Sequence, residues 1–136
     1  MKNVKTIKIV KLNESKENII KLFNLAHEVL EEQRRFCFYN IEMGNETKKY
    51  EVDNLTDRIN ELTFAIQYLS HMCMFINKQN MMLSYDLQDD AQKYHNATIQ
   101  TLEDSAVGCW DHSKEEIYKV IELLKLNYKE AVAASK

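Results

Sequence analysis

A chain of 136 residues with no proline and only two glycines, Gly44 and Gly108, has few places where it can turn sharply. Sandwiches and barrels of short strands need Gly- and Pro-rich turns at regular intervals, so an all-β fold is disfavoured. The glycine-rich loops that cradle nucleotide phosphates are missing for the same reason. What remains is a chain of long helices with few breaks, and the apolar periodicity has that form.

A first helix is expected to start near Asn13 or Ser15 and run to about Met43, with Ile19, Phe23, Ala26, Leu30, Cys37 and Ile41 on one face, widened by Leu22, Leu25, Val29 and Phe36. Asn13 and Ser15 are both good N-caps, and Gly44–Asn45 is a C-cap signal. A loop is expected over 44–53. A second helix then starts at a cap on Asp53 or Asn54 and runs to about 77–80, with Leu55, Ile59, Leu62, Ile66, Leu69, Cys73 and Ile76 facing the core. The third helix is expected over 85–106, with Leu87, Ala91, Tyr94, Thr98, Leu102 and Ala106 inward. Ser113 and Glu116 form the S-x-x-E capping box of a fourth helix carrying Ile117, Val120, Ile121, Leu124, Tyr128 and Ala131. Four helices with short to moderate connections predict an all-α fold, an antiparallel four-helix bundle over residues 13–133. Residues 1–12 precede it as a short, basic, β-prone arm, and 1–136 form one domain.

Composition narrows the function classes. Hydrophobic residues at 45% and charged residues at 29% are ordinary globular values, enough for a core without staples. Formal charge is −3, and Lys2, Lys5, Lys8 and Lys11 account for +4 in the first 12 residues, so the remainder sums to −7. A mainly acidic body disfavours nucleic acid as partner, because phosphate binding needs clustered cations. No stretch approaches the length of a membrane span and no leader pattern opens the chain. The cysteines, Cys37, Cys73 and Cys109, are odd in number, so a full set of internal disulfides is impossible. A cytoplasmic protein with reduced thiols is expected. Their even spacing of 36 does not reflect a repeat, since the intervening segments otherwise match only at Asp53/Asp89 and Asn60/Asn96. The 15 Lys, 12 Asn and 11 Ile fit an AT-rich genome, such as a low-GC bacterium or its phage.

Catalytic signatures are missing: there is no H-E-x-x-H, no nucleophile motif and no Glu-x-x-His of the di-metal bundles. No metal site and no cofactor is expected, and Asp86, Asp89 and Asp90 read as a solvated face. Cys109-x-x-His112 is only half of a zinc site. The most informative feature is a second apolar stripe on helix two. Phe64, Tyr68, His71 and Phe75 lie about 180° from its core stripe, flanked by Met72 and Met74. Aromatics and Met are enriched at interfaces, so these four residues are expected to bind a partner, with Trp110 as a further anchor. His27 and Arg34 lie on the margin of helix one, where Arg34 could hold a carboxylate or phosphate. The function expected is therefore a small regulatory or binding protein without catalysis. It would self-associate, most simply as a homodimer, and capture a protein partner as inhibitors, adaptors and immunity proteins do. The alternative is a nucleotide-binding or other phosphoryl-ligand protein, or an enzyme, with His27, Arg34, His71 or His95 facing a pocket between helices.

Overall fold

The structure is a computed structural model and describes residues 9–44, 49–77, 91–108 and 113–135. Its elements are α1 (Lys16–Glu42), α2 (Lys49–Asn77), α3 (Ala91–Val107) and α4 (Lys114–Ser135), with no strand among the described residues. The four helices pack against one another, and α1 with α2 makes the most extensive pair.

Local chemistry sets the ends of α1. The Ser15 hydroxyl accepts the Asn18 N–H at 3.1 Å, filling one of the orphan donors of the first turn. At the other end the Gly44 N–H donates to the Ile41 carbonyl at 3.2 Å, with Gly44 at φ +65°. That left-handed geometry is why glycine follows this helix. At α4 the Ser113 hydroxyl accepts the Glu116 N–H at 3.4 Å, the N-terminal half of the expected box.

Two boundaries differ from the sequence reading. Helix α2 starts at Lys49 rather than at Asp53 or Asn54, because Lys49, Tyr50, Glu51 and Val52 contain no breaker and a helix already begun extends easily. The described part of α3 starts at Ala91; the expected start at 85, with Leu87, Asp86, Asp89 and Asp90, lies outside the described residues. Of the expected arm, residues 1–8 also lie outside them.

The core is aliphatic and drawn from all four helices. Ile19, Leu22, Leu30, Leu62, Leu69, Met72, Phe75, Ile76, Leu102, Ile117, Leu123 and Leu124 are essentially sealed from water. Helix α3 contributes mostly small side chains, with Ala91, Ala97, Thr98, Thr101, Ser105 and Ala106 buried. Its threonines satisfy their hydroxyls along their own helix: Thr98 donates to the Tyr94 carbonyl at 2.7 Å and Thr101 to the Ala97 carbonyl at 2.8 Å. Small, internally satisfied side chains let α3 approach its neighbours closely.

The two apolar stripes of α2 prove to be the flanks of one broad buried arc. Between the core stripe and the Tyr68–Phe75 stripe lie Ala65 and Met72, both fully buried. At 100° per residue the buried positions span about 200° of the wheel. The solvent side is a narrower polar sector that includes Thr56, Asn60, Gln67 and Ser70, with Met74.

Candidate functional site

The expected partner-binding stripe is divided by the fold. Tyr68 is 3% exposed and Phe75 0%, so both belong to the core of the monomer and offer no surface to a partner. The expectation that they face a partner is corrected for these two residues: Tyr68 meets His95 of α3 and Tyr128 of α4, and Phe75 is sealed in the apolar core. Phe64 remains 45% exposed and stacks on Tyr94 of α3 with ring centres 5.3 Å apart. His71 is half-buried. Trp110 lies outside the described residues, as does Cys109 with His112.

Tyr68 instead belongs to a buried polar cluster. Its hydroxyl lies 2.5 Å from His95 Nδ1, and the His95 ring stacks on Tyr128 at 3.9 Å with planes 15° apart. Burial, with the Lys125 charge as a smaller cause, lowers the His95 pKa to about 4, so the imidazole is neutral at pH 7. Burial, and then Tyr128, raises Tyr68 well above its ordinary value, so the phenol keeps its proton. A protonated phenol beside a neutral imidazole donates to it. Nδ1 is then the acceptor and the ring proton sits on Nε2. Both pKa values are shifted away from pH 7, in the directions that keep the two groups neutral and hold the proton in place rather than transfer it.

The expected ligand pair is engaged within the chain. Arg34 Nη1 donates to the Thr63 hydroxyl at 3.2 Å, and Thr63 donates to the Ile59 carbonyl at 2.8 Å, tying α1 to α2. His27 Nδ1 lies 2.9 Å from Glu31 Oε1 one turn along the same helix. Arg58, on α2, bonds Glu61 and reaches the Thr101 hydroxyl of α3 at 2.8 Å. Cys37 is buried and Cys73 half-buried, both as free thiols, and burial pushes both thiol pKa values up. Such thiols are poor nucleophiles. No three His, Cys, Asp or Glu side chains come together to hold a metal among the described residues. Over the same residues, no helix is long and apolar enough to cross a membrane.

The apolar surface lies at the C-terminal end of α1. Phe36 is 56% exposed, Phe38 47%, Tyr39 54% and Met43 59%. Phe36, Tyr39 and Met43 follow i, i+3, i+7 and share one face. The sequence reading placed Phe36 in the core, and the structure corrects it. The buried residues of α1 end at Cys37. Around and beyond that point the large apolar side chains of α1 stand about half in solvent. The run Phe36-Cys37-Phe38-Tyr39, three aromatics in four residues at a helix end, was the signal for it. Comparison with family models, with curated proteins and with solved structures finds no match for this chain.

Proposed function

We propose that this chain is a small cytoplasmic binding protein without catalysis, which self-associates and presents the aromatic end of α1 to a protein partner. In this reading the helices form an antiparallel bundle, as short connections favour, with residues 1–12 as an arm. The observation that supports it is the half-exposed face of Phe36, Tyr39 and Met43 at the end of α1. Aromatic and Met side chains concentrate in interface cores, and a contiguous patch of them in water marks an interaction surface. Phe64 and Met74 on α2 add exposed apolar area.

The test pairs two measurements. Sedimentation of the full chain from low micromolar to millimolar concentration reads self-association. Affinity capture from a host extract, with Phe36→Ser/Tyr39→Ser as the comparison, reads the surface. The double variant is expected to melt as the wild type does and to lose a co-purifying protein that the wild type retains. A wild type that stays monomeric throughout and captures nothing beyond what the variant captures overturns the reading.

A further inference from the structure

The chain carries a slot that recognises backbone rather than side chains, and its own leading segment fills it. Asn127 stands at a core position of α4 and is fully buried. Its Oδ1 accepts the Val10 N–H at 2.6 Å, while its Nδ2 donates to the Val10 carbonyl at 2.5 Å and to the Leu123 carbonyl at 2.8 Å. A carboxamide offers one acceptor and one donor group in a plane, as a peptide group does. Here it pairs with a single residue in both directions, as a neighbouring strand would. Ile9 and Leu12, on either side of Val10, pack against the apolar core. Two residues beyond Leu12, Glu14 meets Lys119 of α4 at 3.3 Å. Thus Asn127 and Lys119 of α4 hold both ends of the segment.

The connection from this segment into α1 is the strained point. Asn13 has φ +33°, and no other described residue except Gly44 has a positive φ. Left-handed backbone is tolerated by Asn better than by most residues, yet it remains unfavourable. Asn13 lies between the segment held on α4 and the Ser15 cap of α1, where the chain changes direction. A second copy offers the same slot without requiring that bend.

We infer that residues 9–14 exchange between copies: two chains swap these segments reciprocally, each seating its Val10 on the Asn127 of the other with Asn13 extended. Reciprocal exchange of an identical element closes a two-fold dimer without any new surface. At low concentration the chain's own segment wins, because its effective concentration at the slot is high. Strain at Asn13 lowers that advantage, so exchange appears as concentration rises. The inference rests on the self-association part of the proposed function and supplies its mechanism. It uses neither Phe36 nor Tyr39.

Light scattering after size exclusion, on full-length variants over a concentration series, tests it. Asn13→Pro fixes φ near −65°, forbids the bend, and is expected to tighten dimerisation by at least about tenfold. Asn13→Gly, free to adopt positive φ, is expected to weaken it. If Asn13→Pro does not fold, Asn13→Val disfavours positive φ with a smaller change and is read in its place. Adding Asn127→Ala to the dimeric variant is expected to return a monomer with its helical circular dichroism intact. Adding Phe36→Ser/Tyr39→Ser instead is expected to leave the dimer in place. Exchange is overturned by equal masses for the Pro (or Val) and Gly variants at every concentration, or by a dimer that survives Asn127→Ala. It is also overturned by a dimer lost with Phe36→Ser/Tyr39→Ser, which would assign association to the aromatic end. Failure of partner capture by that aromatic end, with exchange intact, would strike only the proposed partner surface.

Discussion

A histidine can occupy a helical core only if the fold favours its neutral form, and at His95 burial does so first and the Lys125 charge second, while the Tyr68 hydroxyl occupies Nδ1. The sign of the resulting pH dependence follows directly. Unfolded chains take up a proton at the ordinary value of 6.5, whereas folded His95 resists until about pH 4. The unfolded state therefore binds more protons between those limits, and stability falls as pH drops from 6.5 towards 4. The loss is expected to be on the order of 2–3 kcal/mol, read as a falling urea midpoint. His95→Gln, which cannot titrate there, is expected to flatten the profile; an unchanged slope would remove His95 as its source. Residue identity alone did not separate the histidines. His71 on α2 shared the spacing of the aromatic stripe, but the buried partner of Tyr68 comes from α3, 27 positions further along the chain.

At the scale of the element, periodicity identified the inner faces well. Ile19, Phe23, Ala26, Leu30, Leu62, Leu69, Leu102, Ile117, Val120 and Leu124 are all buried as expected. It misjudged α2 because two stripes on a wheel do not reveal whether the gap between them faces solvent or protein. Small Ala65 and flexible Met72 fill that gap, and neither reads strongly as core on its own. The distinction can be measured. Phe75→Ala removes a fully buried ring and is expected to lower stability by about 3–5 kcal/mol. Phe36→Ser, on an exposed ring, is expected to change it by no more than about 0.5 kcal/mol. Comparable losses in chemical denaturation would contradict the burial pattern described for α1 and α2. Both ends of α1 and the start of α4 were legible too, because capping is local chemistry, whereas the start of α2 at Lys49 was not. Gly44→Ala meets no neighbouring atom within 4 Å, so only the left-handed backbone opposes the new side chain. An expected loss of about 1 kcal/mol would appear as a melting temperature a few degrees lower.

For the molecule as a whole, the question is which apolar surface is left over after the helices meet. The aromatic end of α1 stays half-exposed, while the buried Asn127 holds Val10 against α4, with Ile9 and Leu12 on the core. Asn127→Ala in the wild-type background is expected to cost about 1–3 kcal/mol and to speed amide exchange at Val10 selectively. Uniform speeding across α4 would instead mean that the helix itself had loosened. The amino-acid sequence by itself determined the helical class, the caps at Ser15, Gly44 and Ser113, and the main inward stripes, because these depend on neighbours three or four positions apart. Only the tertiary structure decided that Tyr68 and Phe75 are sealed, that Arg34 serves Thr63, and that Phe36, Tyr39 and Met43 face water. Those outcomes depend on how whole helices pack, and contacts between residues far apart in the chain leave no mark on the local spacing of residues.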